Sequence, residues 1–356
     1  MKMKPSSPEK VRGIQVSPGK SLSQLMTEMA QTGFQGRKLA EICEIFEEMI
    51  AQKDLTILMG YAGSLSVAGQ WPIVTWLIER GYIDILVGTG ANLSEDIVEG
   101  MGRSYIKSTH VADDEKLCAE GFNRYYDILG SEEDYLEMTE LITDFIMTLD
   151  KDYKYSSREF LYLLGLWLGE RGVKSIVVSA AKKKVPVFCP GIADSPIGDA
   201  ALIACSRGFS FTIDAMKDYV EFMGLAELVK DTGVFYVGGG VPKDFVQLFA
   251  VTADLLYPDR KIPNRGGGLM REGTNETYHP HMYAIQITSD SPQWGGLSGC
   301  SFEEATSWGK ESSRGRTAQC FCDATIALPI LAHVIADKVP HERKNTDFSS
   351  IFKKIA

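Results

Sequence analysis

The sequence predicts an α/β fold: one many-stranded, mostly parallel sheet with helices on both faces. Three observations carry that expectation. Short apolar runs of strand length recur along the chain, such as LTILM at 55–59 and IDILV at 83–87. They are followed by clusters of Gly, Ser or Thr and then by helical patterns, as in βαβ units. No internal repeat or domain-scale linker interrupts the 356 residues, so 21–356 reads as a single domain behind an arm at 1–20.

The arm is rich in Pro, Ser, Lys and Gly, a composition that favours mobility. Residues 22–52 turn helical, and within them Leu39, Ile42, Ile45, Phe46, Met49 and Ile50 fall on one stripe of a 3.6-residue period. The strand at 55–59 runs into Gly60-Tyr61-Ala62-Gly63-Ser64 and then a helix over 71–80. The strand at 83–87 ends in Gly88-Thr89-Gly90-Ala91-Asn92, with its helix starting near Ser94-Glu95-Asp96. Strand ends of this kind place loop amides and helix N-termini where a phosphate can bind. Neither loop is a G-x-G-x-x-G, so tight turns that merely need glycine are an equally good account.

Residues 123–170 read as mainly helical, and strands resume at 175–179 (SIVVS) and 185–188 (VPVF). Next comes CPGIADSPIGD at 189–199, where Asp194 and Asp199 suit either ribose and amine contacts or helix caps. Further strands are expected at 209–214, 234–237, 283–287 and 319–322. Three glycines follow the second of these at 238–240, and another triple sits at 266–268. Asp323-Ala324-Thr325 opens a helical C-terminal stretch.

Composition narrows the functional classes. Hydrophobic residues make up 44% and charged residues 24%, as in ordinary globular proteins. A net charge of −10 and pI near 5.2 argue against a nucleic-acid surface and suit an enzyme or a binder of cations. No apolar leader or membrane-spanning run is visible, so a reduced cytoplasmic setting is expected. Seven cysteines include no C-x-x-C pair; Cys320 and Cys322 share a strand face, a core feature. His279-Pro280-His281 lacks a third ligand at matching spacing, so no metal is expected. A Walker-type loop and a nucleophile elbow are both missing.

The richest stretch is CSFEEATSWGKESSRGR at 300–316, approached through QWGGLSG at 293–299. A lysine becomes nucleophilic when an apolar pocket or neighbouring cation lowers its pKa to about 7–8. Trp308 beside Gly309 offers Lys310 such a lid, and Glu303 and Glu304 offer a cationic amine its counter-charge. Alone, the segment reads equally well as a surface lysine lying over an aromatic ring.

Taken together, GYAGSLSVAG at 60–69, ILVGTGANLSED at 85–96, DSPIGD at 194–199, GGGVPK at 238–243, EEATSWGK at 303–310 and CDATIALP at 322–329 resemble deoxyhypusine synthase, over about residues 20–335. The resemblance implies a Rossmann-like, doubly wound sheet that binds NAD, and spermidine as aminobutyl donor. An imine on Lys310 would carry the aminobutyl group, and NADH that stays bound would return the hydride. It implies homotetramers whose active sites lie at a dimer interface. It assigns NAD contacts to Ser64, Thr89, Gly90, Ala91, Glu95, Asp194, Gly239, Gly240, Ser289, Ser298, Asp323 and Ala324. Amine contacts fall to Asp199, Gly295, Glu304, Trp308 and Lys310.

Departures accompany the likeness. The family's paired histidine after G-G-G-x-x-K is here Asp244-Phe245, which puts a carboxylate where an imidazole contacts the polyamine. Leu297 stands where the family has an aspartate, and Ser64 and Val67 replace an asparagine and a serine. The hydride-transfer apparatus is thus kept while the amine pocket is rewritten, as in bacterial deoxyhypusine synthase-like proteins. The expected activity is an NAD-dependent aminoalkyl transfer to a small amine. The alternatives are deoxyhypusine synthesis on a translation-factor lysine, homospermidine formation, and a silent polyamine-binding homologue.

Overall fold

Six strands form the central sheet: β1 Leu55–Tyr61, β2 Ile85–Gly88, β3 Val187–Phe188, β4 Asp231–Val237, β5 His281–Thr288 and β6 Glu311–Phe321. The structure is a computed structural model that describes residues 10–265, 268–270, 272 and 277–353. All pairings in this sheet are parallel, and read across it the strands run 3-2-1-4-5-6. That is the doubly wound, Rossmann-like order, whose direction reverses between β1 and β4 and leaves a crevice at their C-terminal ends.

Both faces of the sheet are covered, which is why its strands read as continuous apolar runs. Alternate residues divide between two cores. Ile57, Met59, Phe235, Val237, Ile285 and Ile287 pack into one, while Leu58, Val234, Tyr236 and Ala284 pack into the other. The first core takes the apolar stripe of α2 (Phe34–Ala51), which follows α1 (Leu22–Met29). The single helical stretch expected at 22–52 is therefore two helices, the first started by a Ser21/Gln24 capping box. As far as it is described, the arm lies against α1: Arg12 N donates to Gln31 O at 2.9 Å, and Lys20 pairs with Glu28 at 2.6 Å. The helix expected at 71–80 is α3 (Trp71–Glu79).

The middle of the chain corrects three expectations. Residues 123–170 hold α4 (Glu132–Ile146) and α5 (Ser157–Glu170), but a hairpin of Phe122–Tyr125 with Ile128–Ser131 precedes them. Residues 175–179 are not a strand but the start of α6 (Ile176–Lys183). Ser175 caps this helix, its Oγ accepting from Val178 N at 3.2 Å, and the Val-Val pair packs into the first core. A cap and tertiary burial outweigh the β preference of Ile and Val. The strand expected at 209–214 shrinks to Thr212–Ile213 and pairs with Lys154–Tyr155, outside the central sheet. Of the second glycine triple, Gly266 and Gly267 lie outside the described residues.

Further helices include α7 (Pro196–Ser206), α8 (Gly240–Val251), α9 (Phe302–Ser307) and α10 (Ala324–Lys338). Beyond α10 the chain straps the edge opposite the crevice. Fully buried Asp84 accepts from Ile57 N at 2.7 Å, Arg343 Nη1 at 2.8 Å, Asn345 Nδ2 at 2.9 Å and Thr346 N at 2.8 Å. Arg343 also reaches the Leu55 carbonyl. Asp84→Ala would strand the buried guanidinium and is expected to lower unfolding free energy by about 3–5 kcal/mol in urea titration.

Candidate active site

At the sheet's reversal point the strand ends open into a cleft of about 460 Å³. Its walls are Ala62 and Gly63 after β1, Thr89 after β2, Gly238–Gly240 after β4, Thr288–Asp290 after β5, Ser298, and Asp323–Thr325 after β6. The wall after β4 has room only for glycine. A Cβ on Gly239 would sit 2.3 Å from Ser298 Cα, and Gly238 and Gly240 hold φ of +70° and +60°. Ser298 Oγ accepts from Gly240 N at 3.1 Å, so the triple glycine and the segment leading to Lys310 form one wall.

Of the expected cofactor contacts, Thr89, Gly239, Gly240, Ser289, Ser298, Asp323 and Ala324 line this cleft. Ser64 is exposed between the lining residues Gly63 and Leu65. Gly90 faces the start of α7, where a Cβ would fall 2.4 Å from Ser195 Oγ, and Ala91 continues that turn. Glu95 is buried with Oε2 unpartnered, and burial raises its carboxyl above the usual range. Asp194 lies apart, in a second cleft of about 480 Å³ lined by Cys189, Ile197, Phe211 and Asp218. Asp199 is exposed on the first turn of α7, where Tyr135 Oη donates to its Oδ2 at 3.5 Å.

Lys310 is held beside the cleft rather than in open solvent. Its Nζ donates to Asp244 Oδ1 at 2.8 Å and to Gln247 Oε1 at 3.5 Å, and lies 5.6 Å from the Trp308 ring centre. The Lys310 side chain is 12% exposed and that of Asp244 40%. Asp244 stands one helical turn, about 6 Å, beyond Gly240 of the cleft wall. The backbone fixes the approach: Lys310 N donates to Ala305 O at 3.1 Å, and His281 N to Lys310 O at 2.9 Å. Gly309 takes φ +80° with the Tyr278 ring 2.9 Å from where a Cβ would stand. Trp308 and Glu304 are exposed around α9, and Gly295 takes φ +71° at the turn before it.

Several supporting groups escaped the sequence reading. Asn92 is buried and clamps two strand-end loops, its Oδ1 accepting from Leu65 N at 3.2 Å and Ser66 N at 3.1 Å while Nδ2 donates to Thr89 Oγ1 at 3.1 Å. Lys243 is buried, with Nζ donating to Gln286 Oε1 at 2.9 Å and Cys300 O at 2.8 Å. Burial pulls its ammonium down to about 8. Gln286 Nε2 donates to Gly238 O and Ser298 O, both at 2.8 Å, and Gln319 Nε2 to Cys300 O at 2.9 Å. Only the places of Asn92 and Lys243 inside glycine-bearing motifs could have flagged them.

The family model described as deoxyhypusine synthase matches residues 24–335. The chain belongs to the deoxyhypusine synthase family. It is 46% identical to "Probable deoxyhypusine synthase 2" of Methanosarcina mazei, across 90% of this chain and 88% of that one. It is 33% identical to a deoxyhypusine synthase-like protein of Chlorobaculum parvum, across 86% and 84%. A crystal structure described as a deoxyhypusine synthase from Entamoeba histolytica has the same fold, with TM-score 0.61, 14% identity and 95% and 100% coverage. Among the described residues no cluster of His, Cys, Asp and Glu is arranged to hold a metal, and no helix is long and apolar enough to cross a membrane.

Within this deoxyhypusine synthase-family site, Asn92 joins the β1 and β2 loops. Asn92→Ala leaves two buried backbone N–H groups unpaired and is expected to cost about 2 kcal/mol in urea unfolding.

Proposed function

We propose that this chain is an NAD-dependent aminoalkyl transferase that carries the transferred group as an imine on Lys310. The observation that carries this reading is the sheltered Lys310 amine, 2.8 Å from Asp244, beside a cleft at the reversal point of the sheet. Imine formation needs a neutral amine within reach of a group that takes its proton. Asp244 Oδ1 is that group. It occupies the family's histidine position, so the carboxylate replaces the imidazole as proton acceptor.

The residues present suit NAD. Gly238–Gly240 allow close backbone approach, and Thr89, Ser289 and Ser298 offer hydroxyls. When bound there, NAD would supply the hydride acceptor for the carbon next to the donor's secondary nitrogen and, once reduced, the hydride donor. Lys310 Nζ then attacks the C=N carbon left in the oxidised polyamine, and the C–N bond to the departing amine breaks. That amine leaves with a proton, and an acceptor amine displaces Lys310 in the same way. Glu304 and Asp199 would hold ammonium ends of the polyamine, and Trp308 and Gly295 would shape its path.

Asp244, Leu297 and exposed Trp294 change the charge and shape of the amine pocket, which favours a small amine such as putrescine as acceptor and spermidine as donor. A second reading, transfer to a translation-factor lysine, is favoured by the 46% identity to "Probable deoxyhypusine synthase 2". Trp294 and Trp308, 73% and 67% exposed beside this site, suit burial by a second copy in a homotetramer.

Incubation with NAD and spermidine followed by borohydride is expected to leave an aminobutyl adduct on Lys310, read by mass spectrometry. Lys310→Ala should abolish the adduct and retain NAD binding; an adduct on another residue would overturn the assignment. Asp244→Asn should slow trapping by about a hundredfold. Product mass with putrescine against a translation-factor substrate then separates the two acceptors.

A further inference from the structure

A carboxyl group behind Lys310 is left unused by this chemistry. Glu311 opens β6 and is 1% exposed. Its Oε1 accepts from Gln247 Nε2 at 2.8 Å, while its Oε2 is buried with no partner. Gln247, fully buried on α8, turns its Oε1 toward Lys310 Nζ at 3.5 Å. Burial pushes the Glu311 carboxyl up to about 7, against the pull of Gln247, Lys243 and Lys310. The other charged or titratable groups around it are Asp244 on α8, Tyr236 on β4 and His281 on β5. Burial keeps the His281 ring neutral, and its Nδ1 lies 2.8 Å from Thr232 Oγ1.

We propose that Glu311 is a positioning residue for Lys310 that acts by fixing which end of the Gln247 carboxamide faces the amine. A neutral lysine amine has two N–H groups and one lone pair in a tetrahedral set. Once Asp244, 40% exposed, has passed the proton it took on to water, its Oδ1 and Gln247 Oε1 are two acceptors for the two hydrogens, which leaves the lone pair on the remaining direction. A flipped Gln247 would instead donate its N–H to that lone pair and quench the nucleophile. The two ends of a carboxamide have nearly the same shape, so a partner must decide between them. Glu311 Oε1 decides by accepting from Nε2. A proton on the free Oε2 leaves that hydrogen bond in place, so the orientation holds on both sides of neutrality.

This inference rests on Lys310 being the nucleophile, but its test reads the amine directly. The full-length protein is labelled with trace acetic anhydride, whose carbonyl Lys310 attacks to give an amide and acetate. Lys53 and Lys182 on the surface serve as internal references. Glu311→Leu is expected to lower Lys310 labelling relative to them roughly tenfold, the worth of one mispaired hydrogen bond. Glu311→Gln should lower it less, since an amide oxygen still accepts, and Gln247→Leu, which has no N–H to turn toward the amine, should not reproduce the loss seen in Glu311→Leu. A purely structural role would shift the melting temperature and leave the ratio unchanged. An unchanged ratio in Glu311→Gln, or a tenfold loss in Gln247→Leu, overturns the proposal, even where Glu311→Leu fails to fold. Borohydride trapping on the same samples separates the two readings. No adduct on the unsubstituted chain sinks the transferase reading while the labelling ratio still decides Glu311. An adduct with an unchanged ratio sinks Glu311 alone.

Discussion

The buried ammonium of Lys243 is the constraint on which the rest of the site depends. A charge removed from water is tolerated only when its donors are matched, and here one carboxamide and one main-chain carbonyl match it. Gln286 and Gln319 extend the match to the carbonyls of Gly238, Ser298 and Cys300. The glycine loop after β4 and the segment carrying Lys310 are thus tied through one polar network under the cleft floor. Loosening any member leaves several buried groups unpaired at once, so the network behaves as a unit.

Much of the architecture was legible in the chain, for physical reasons. Strands covered on both faces must be apolar throughout, so LTILM, IDILV and their successors stand out against helical periodicity. The proposed chemistry also had a local signature, because Trp308, Gly309 and Lys310 are neighbours in sequence. What escaped was whatever depends on distant partners. Residues 175–179 have the composition of a strand, yet Ser175 and the packing behind it make a helix. The hairpin at 122–131 sits among acidic residues that read as helix. Asn92 with Leu65, Lys243 with Gln286, and Gln247 with Glu311 are pairs separated by dozens of residues, and no spacing rule joins them.

Asp244 links the two levels. In the sequence it was a departure, a carboxylate where the family carries an imidazole. In the fold it is the residue in direct contact with Lys310 Nζ, one turn into the helix that begins at the glycine wall. A substitution that looked like the loss of an amine contact therefore also changes the immediate partner of the lysine. Leu297 has no such compensation in its own position, and nothing in the structure explains it.

The strap beyond α10 bears on how the chain is made. β1 and β2 leave a ribosome well before Arg343, Asn345 and Thr346, which close their starting edge from 259 to 262 residues beyond Asp84. Until the segment beyond α10 emerges, the Asp84 carboxylate must wait in water for these partners. Synthesis of the first βαβ unit and its completion are thereby uncoupled, and that edge of the sheet closes only once the strap is in place.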